Sequence, residues 1–193
     1  MRHHIAPAFR LMLVLTVLTG LIYPGVVTAL CQAVFHWQAN GSTLKVDGKE
    51  VGSSLIGQNF TKPEYFHSRP SAAGNDGYDA TASGGSNFGP TNQKLIDRVK
   101  ASVEQFRKEN PDYTGPIPAD LLTASASGLD PDISPGAAEA QAARIAKARG
   151  ITLEQVNQLI SRDTKGPDLG FLGEPRVNVL ELNLALDRQF PRK

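Results

Sequence analysis

A long apolar run near the N-terminus dominates the pattern of this chain. Residues 11–35 read LMLVLTVLTGLIYPGVVTALCQAVF and carry no charge, with Arg10 before them and His36 after them. A helix of that length measures roughly 37 Å, against a bilayer hydrocarbon core of about 30 Å. The run therefore predicts one transmembrane helix that crosses with some tilt, between a short segment 1–10 and a domain 36–193.

Two other interpretations compete with a permanent anchor. Val27-Thr28-Ala29 has the small residues of a signal-peptide cleavage site, and Arg2 and Arg10 would form the basic segment before it. The apolar core of a signal peptide is usually about 7 to 15 residues long, however, and this run is longer. A buried helix of a soluble core also fits poorly, because the uncharged run is so long. We favour the anchor.

The residues beside the run predict its orientation. The N-terminal side has Arg2 and Arg10 and no acidic residue, whereas acidic and basic residues are balanced just beyond the run. Lys and Arg close to a span favour the cytoplasmic side of the membrane. We therefore expect a cytoplasmic N-terminus and an extracytoplasmic C-terminal domain.

The predicted helix carries a stripe of small and weakly polar residues at a spacing of four. In lipid, such side chains let a neighbouring helix approach closely, and the polar ones find hydrogen-bond partners there. Ordinary use of Gly and Thr in membrane helices would give a similar pattern, but a simple tether has no need of it. We predict a helix-packing face made of Thr16, Gly20, Pro24, Thr28 and Gln32.

Beyond the run, the pattern predicts a single α+β domain with several helices and a small sheet. Asp47-Gly48 is a turn signal between two short apolar stretches, which predicts a hairpin in residues 40–51. Another short strand is predicted at residues 54–56. Residues 74–90 are rich in Gly, Ser, Asn and Asp, and so long a loop is typical of disorder or of a functional segment.

A first helix of the domain is predicted after this loop. Thr91 or Asn92 supplies its N-terminal cap, and Asn110-Pro111 ends it after Glu109. Apolar residues at spacings of four, four and three predict one buried face. That face consists of Leu95, Val99, Val103 and Phe106.

Three further helices are predicted from their end signals. Ser134 followed by proline marks the start of an alanine-rich helix that stops at Gly150. Thr152 and Gln155 form a capping box for a short helix that ends near Ser161. Residues 116–132 are expected to be extended and 163–176 to form a loop. A last helix begins near residue 178 and is expected to bury Leu180, Leu184 and Leu186.

Composition argues against nucleic-acid binding by the domain and against an internal disulfide in it. Apart from Arg2 and Arg10, the 20 basic and 19 acidic residues of the chain all follow the apolar run, so their charges nearly cancel. Nucleic-acid binding would require a basic face. The single cysteine, Cys31, lies in the apolar run, so the domain can form no internal disulfide and must be stabilised by packing.

The sequence contains no recognisable catalytic or metal-binding motif, and we assign neither kind of site. There is no GxxxxGKS/T phosphate loop, no GxSxG elbow, no HExxH and no Cys/His cluster. Asp130 and Asp132 are interpreted as partners of a helix dipole rather than as an acid pair. The loop Ser83-Gly84-Gly85-Ser86 could hold a phosphate through its backbone amides, although a flexible loop would have the same composition.

Five blocks of the sequence resemble a known family, the C subunit of the bacterial high-affinity potassium-transporting P-type ATPase, or Kdp complex. The blocks cover most of the chain in order. One departure is Phe88, which stands where a smaller aliphatic residue is expected. The blocks read LTGLIYPGVVTAL, SSLIGQNFTKPEYFHSRPSA, SGGSNFGPTN, PADLLTASASGLDPDISPGAAEAQAARIAKARG and LGFLGEPRVNVLELNLALD.

The resemblance implies an accessory subunit of the bacterial inner membrane. Its expected partners are a channel-like potassium-selecting subunit, a P-type ATPase subunit and a small single-span subunit. In that family the C subunit is needed for assembly and is described as a catalytic chaperone that raises the ATP affinity of the ATPase subunit. No cofactor is expected to be bound stably, and ATP is expected only through the ATPase subunit.

The predicted topology conflicts with direct contact between the domain and cytoplasmic ATP, so we favour assembly and an extracytoplasmic cap over the potassium entrance. The alternative is a membrane-tethered extracytoplasmic binding protein unrelated to an ATPase. Gly20, Pro24 and Thr28 are predicted to pack against the channel-like subunit. The predicted docking or nucleotide-related residues, whose aromatic members could instead belong to the core, are Gln58, Phe60, Tyr65, Arg69, Ser83, Gly84, Gly85, Ser86 and Asn87.

Overall fold

The computed structural model describes residues 2–191 of the chain, with side chains from residue 4 onward. Met1 and residues 192–193, the outer ends of the predicted segments 1–10 and 36–193, lie outside the described residues. The chain divides into two compact units between Ser53 and Ser54. The membrane boundaries given above, at residues 11 and 35, stay predictions.

The first unit begins with a long helix that contains one wide turn. It consists of α1 (Arg2–Val17), a π-helical turn (Leu18–Ile22) and α2 (Tyr23–Val34). Pro24 has no amide hydrogen and its ring crowds the carbonyl four residues earlier, so a wider turn at this position relieves the clash. His4–Val34, 31 residues, is the one helix of the described residues that is long and apolar enough to span a membrane.

A short helix and a hairpin complete the first unit. Phe35 leaves helical geometry, and α3 (His36–Ala39) follows it. Strands β1 (Thr43–Val46) and β2 (Lys49–Ser53) pair antiparallel across Asp47 and Gly48, which both have positive φ, at 50° and 78°. The predicted hairpin and its turn are therefore confirmed.

The predicted strand at residues 54–56 is wrong. Strand β2 ends at Ser53, and residues 54–56 form a turn at the start of the second unit. The carbonyl of Ser54 accepts a hydrogen bond from the Asn178 side chain at 2.8 Å. A side-chain amide at the end of β5 thus fixes this backbone, without a strand ladder of its own.

Four helices of the second unit agree closely with their predicted end signals. Asn92, Ser134 and Thr152 each accept a backbone N–H at the N-terminal end of a helix, and Thr152 and Gln155 form the predicted capping box. Gly150 ends one helix in the left-handed conformation, with φ 65°. The helices are α4 (Gln93–Glu109), α5 (Pro135–Arg149), α6 (Leu153–Asp163) and α7 (Val179–Gln189).

A small antiparallel sheet lies beside these helices, in stretches predicted as extended chain and loop. It contains β3 (Asp132–Ile133), β4 (Thr164–Lys165) and β5 (Arg176–Asn178), with β5 in the centre. The mixture of helices and short strands confirms the α+β class. The strands are only two or three residues long, so they have no sequence pattern of their own.

The core of the second unit lies between α5, α6 and α7 and includes Phe66 from an irregular segment. Leu180 and Leu186 are buried as predicted, but Leu184 is only half-buried and Leu182 is fully buried in its place. Leu182 lies four residues before Leu186, at the centre of the buried helix face, whereas Leu184, two positions from both, lies at the edge of that face. The prediction of Leu184 was wrong for this reason.

Candidate functional site

Residues 63–67, which we call the clamped segment, are held by amide side chains from two helices. The N–H of His67 donates to Oε1 of Gln141 at 2.8 Å, and Nε2 of Gln141 donates back to the carbonyl of His67 at 3.1 Å. In the same way, the N–H of Phe66 donates to Oδ1 of Asn183 at 2.9 Å, and Nδ2 of Asn183 donates to the carbonyl of Phe66 at 3.0 Å. A side-chain amide carries a carbonyl acceptor and N–H donors, as a peptide group does. Each of the two side chains therefore pairs with the clamped segment as the backbone of a neighbouring strand would.

Arg144, on α5 one turn after Gln141, also fixes the clamped segment. Its guanidinium donates to the carbonyls of Pro63 and Tyr65, the latter at 2.9 Å. It also donates to Asn110 Oδ1 at 3.0 Å and Gln141 Oε1 at 2.7 Å. Burial lowers the pKa of Arg144 to about 10, so the guanidinium remains charged at neutral pH. It is a buried cation whose direct partners are mostly neutral oxygens.

Tyr65 is bound to the end of α5 and to α7. Its hydroxyl donates to Asp187 at 2.7 Å, and the guanidinium of Arg149 lies over its ring at 5.0 Å. Arg149 also donates to Asp187 at 2.7 Å and to the carbonyl of Glu64 at 2.9 Å. The ring of Phe60 is tilted against that of Tyr65 at 5.5 Å. These contacts place Tyr65 in a network inside the domain.

A polar cleft of about 260 Å³ opens beside the clamped segment and is bounded on one side by α4. His67 and Glu109 meet in its wall, with 3.3 Å between Nδ1 and Oε2, while the other ring nitrogen lies 3.0 Å from the carbonyl of Lys62. Burial, and then the nearby Arg144, lower the pKa of His67, against the opposing effects of the Lys62 carbonyl and of Glu109. The neutral ring, which this lowered pKa favours, has one N–H and can donate to only one of these two oxygens.

Arg69 and Tyr78 form another part of the cleft wall. The guanidinium of Arg69 donates to Asp130 at 2.7 Å, and the hydroxyl of Tyr78 donates to the carbonyl of Arg69 at 2.6 Å. Burial raises the pKa of Tyr78 to about 12, so its hydroxyl remains a donor. Within residues 4–191, Nε of Arg69 is buried and has no hydrogen-bond partner.

The loop Ser83–Asn87 lies against residues 125–128. The N–H of Gly84 donates to the carbonyl of Ser127 at 2.8 Å, and the hydroxyl of Ser83 donates to the same oxygen at 3.0 Å. A Cβ on Gly85 would lie only 2.9 Å from the carbonyl oxygen of Ala126, so glycine is required by this close approach. The N–H of Gly84 is thus already used within the domain.

The stripe on the long helix is exposed over most of its length. Thr16, Gly20, Pro24 and Thr28 are exposed, and nothing lies within 4 Å of a Cβ built on Gly20. Gln32 differs, because its side-chain amide exchanges hydrogen bonds of 3.1 and 3.3 Å with that of Asn40. The stripe is therefore accessible to another helix at its first four positions.

Comparison with known proteins identifies the family of this chain. The family model described as K+-transporting ATPase, c chain (KdpC), matches residues 5–188. The chain belongs to the KdpC family. It is 58% identical over 184 residues to the potassium-transporting ATPase KdpC subunit of Myxococcus xanthus, covering 95% of this chain and 87% of the relative. The KdpC subunit of Koribacter versatilis is 54% identical over 192 residues, 99% of this chain and 97% of the relative.

Within this KdpC chain, the predicted docking residues lie in several places. Phe60 and Arg69 line the cleft, whereas Tyr65 belongs to the network at the end of α5. The carbonyl of Gln58 accepts from the hydroxyl of Ser68 at 3.0 Å. The structure therefore does not gather them into one surface, and their docking role stays a prediction, as does that of Ser83, Gly84, Gly85, Ser86 and Asn87.

The residues that fix the clamped segment were not predicted from the sequence. Gln141 and Arg144 are three positions apart in an alanine-rich stretch, and such a spacing puts two polar side chains on one helix face. Polar residues on a face otherwise made of alanine could have indicated a buried polar contact. Asn183 stands between two leucines of α7, which is a similar signal. Phe88, where the resemblance led us to expect a smaller aliphatic residue, lies under the guanidinium of Arg98 at 5.6 Å.

Proposed function

We propose that this chain is a non-catalytic subunit of an ATP-driven potassium uptake complex in the bacterial inner membrane. The observation that carries the proposal is the family match over residues 5–188. No residue in the most apolar stretch of the helix His4–Val34 is buried, which suits a membrane anchor. In this role the helix holds the folded domain Ser54–Lys193 at the complex.

Purification from membranes in mild detergent tests this proposal. A tagged full-length chain is expected to retain an ATPase subunit and a channel-like subunit in fixed proportion. A membrane-tethered binding protein, the alternative function, would be purified alone. The purified complex is expected to hydrolyse ATP in response to potassium, whereas the chain alone is expected to hydrolyse nothing.

The proposed topology has the N-terminus in the cytoplasm and the domain outside. It is supported by Arg10 and the absence of acidic residues on the N-terminal side. A reporter enzyme fused after Lys45 is expected to be active only when it requires export. If a reporter that works only in the cytoplasm is active at this position, the domain lies in the cytoplasm and the proposed topology is wrong. A mature protein beginning at Leu30 would show that the helix is cleaved.

We assign the exposed stripe of the helix to packing against the channel-like subunit. The substitution Gly20→Leu places a branched side chain where a partner helix is expected to approach closely. The control is Leu13→Phe, which changes an exposed apolar residue of the same helix. Gly20→Leu is expected to lose the partner subunits in detergent and to fail at limiting potassium, and Leu13→Phe to behave as wild type. If Gly20→Leu assembles as wild type does and Leu13→Phe does not, the packing face is on the opposite side of the helix.

The catalytic-chaperone role is the finer part of the proposal. We propose that the chain raises the ATP affinity of the ATPase subunit through contacts between subunits. The N–H of Gly84 already donates to the carbonyl of Ser127, so it is not free to bind a phosphate. This contact supports an effect through subunit contacts over a phosphate site in the loop Ser83–Asn87. Removing the chain from the purified complex is expected to raise the KM for ATP. Saturable binding of ATP to the chain alone would show instead that the chain contacts nucleotide.

A further inference from the structure

The connection between β4 and β5 exposes three large apolar side chains at its tip. Leu169 is 83% exposed, Phe171 75% and Leu172 50%. We call these three residues the apolar tip. Scattered exposed leucines are ordinary on a protein surface, but three large apolar residues within four positions form a patch of the kind found at interaction sites.

The apolar tip is held in place by hydrogen bonds within its own loop. The N–H of Asp168 donates to the carbonyl of Leu172 at 2.8 Å, and the N–H of Leu172 donates back at 2.9 Å. The guanidinium of Arg176 lies 3.3 Å from the Asp168 carboxylate and holds the base of the loop. The tip thus presents its side chains from a closed turn.

The backbone at Leu169 is costly for a leucine. Its φ is 54°, in the left-handed region that glycine adopts freely and that other residues adopt at a cost. Sparsely populated backbone conformations persist where they serve a function. Here the strained residue is also the most exposed member of the tip, so the domain itself gains little from its side chain.

The charges around the tip favour a protein over the membrane surface as its partner. Asp168 and Glu174 flank the tip, and Arg176 is shared between Asp168 and Asp132. Lys165 is paired with Glu181 at 2.6 Å. Segments that bind an anionic bilayer surface carry an excess of lysine and arginine beside their apolar residues. Around this tip the four carboxylates of Asp132, Asp168, Glu174 and Glu181 instead outnumber the two basic side chains, and both basic side chains are already paired.

We propose that the apolar tip docks into an apolar recess with a basic rim on another protein subunit of the potassium-transporting complex. The inference rests on the proposed function, because it requires a complex for the tip to join. It adds a second attachment to the helix stripe, and this one lies in the folded domain. The basic rim complements Asp168 and Glu174.

Cross-linking in membranes tests which partner covers the tip. A photo-reactive phenylalanine analogue replaces Phe171 in the full-length chain, expressed together with the other subunits. Irradiation is expected to join the chain to one other subunit. The control places the same analogue at Leu153, which is 48% exposed on α6. A cross-link from the Phe171 position to lipid, to a second copy of this chain or to nothing would overturn the proposal.

A double variant measures how much the tip contributes to assembly. Leu169→Ser with Phe171→Ser is expected to reduce the subunits retained in detergent by at least tenfold, and Leu153→Ser to leave them unchanged. Because both replaced side chains are exposed, the thermal midpoint of the variant chain should not fall. If the wild type retains the subunits and the double variant retains them equally, the tip inference fails alone. If the wild type retains none, the proposed function fails and the tip inference with it.

Discussion

Two irregular segments of the same domain hold an aromatic residue in opposite ways. Phe66, in the clamped segment, is fully buried, whereas Phe171, in the apolar tip, is 75% exposed. Helices α5 and α7 bind the clamped segment through side-chain amides and a guanidinium. The loop that carries the tip is bound mainly to itself. One segment is thus part of the core, and the other projects away from it.

The difference shows that irregular backbone can be fixed in two ways with different consequences. Where distant side chains satisfy the peptide groups, the backbone groups and the packed side chains depend on each other, and loss of one contact leaves buried groups unsatisfied. Where a short turn satisfies its own peptides, its side chains are free to serve another molecule. We therefore expect substitutions in the clamp to reduce stability and substitutions in the tip to reduce assembly.

The largest effect is expected for Arg144→Met, which removes the buried cation of the clamp. Two backbone carbonyls and the side chains of Asn110 and Gln141 lose a donor, so the free energy of unfolding should fall by about 3 to 5 kcal/mol. Thermal unfolding of the full-length chain in detergent, followed by tyrosine near-ultraviolet circular dichroism, measures the loss. Arg144→Lys is expected to lose most of it too, because an ammonium cannot reach four acceptors. A fully stable Arg144→Met variant would show that the clamp does not fix the segment.

A smaller loss is expected for Gln141→Leu, which leaves both peptide groups of His67 without their partner. Each of these groups is only partly buried and costs about 1 to 2 kcal/mol, in the lower part of the usual range, so we expect a loss of about 2 to 4 kcal/mol in total. Gln158→Leu on α6 is the matched control, since Gln158 is exposed and its side chain donates to the exposed Glu154. Equal stability of the two variants in the same unfolding assay would argue against the peptide-like role of Gln141.

The next effect concerns pH and His67. Because the pKa of His67 is lower in the folded domain than its ordinary value of about 6.5, protonation favours the unfolded chain. Above pH 6.5 the neutral ring contributes its full stability to the folded domain. That stability is lost as the pH falls from 6.5 through the lowered pKa of the folded state. In the His67→Gln variant, the thermal midpoint should therefore fall less than in wild type as the pH is lowered from 6.5. An unchanged pH profile would show that other groups dominate.

The smallest effect on stability is expected for Leu169→Gly in the apolar tip. Removing the left-handed strain at φ 54° gains about 1 kcal/mol, and the greater freedom of glycine in the unfolded chain offsets much of it. The thermal midpoint should therefore remain close to that of wild type or rise slightly. A loss of more than about 1 kcal/mol would mean that the Leu169 side chain packs on its own domain, which would remove the contrast with the clamp.

Much of the local structure could be predicted because its contacts join neighbouring residues. The caps of α4, α5 and α6 are hydrogen bonds between residues two or three positions apart, and the Asp47-Gly48 turn is equally local. The apolar run was recognised because its length and lack of charge suffice to suggest a membrane helix. The family was recognised from long blocks of sequence, and the family comparison confirms it.

The candidate site could be predicted only in fragments. Phe60 and Arg69 were named and line the cleft, but His67 and Glu109 were not paired in the sequence analysis. Those two residues stand 42 positions apart and approach only when α4 packs beside the clamped segment. Tyr65 was named as a docking residue, yet its contacts with Arg149 and Asp187 become visible only in the folded domain.

The sequence by itself determined the long helices, most of their ends, the hairpin and the family, since each depends on neighbouring residues or on the order of residues alone. The tertiary structure decided which leucines of α7 are buried, where β3, β4 and β5 pair, and how the clamp closes. Phe66 and Asn183, for example, are 117 positions apart. A hydrogen bond over such a distance has no local signal, because its two partners are brought together only by the packing of everything between them.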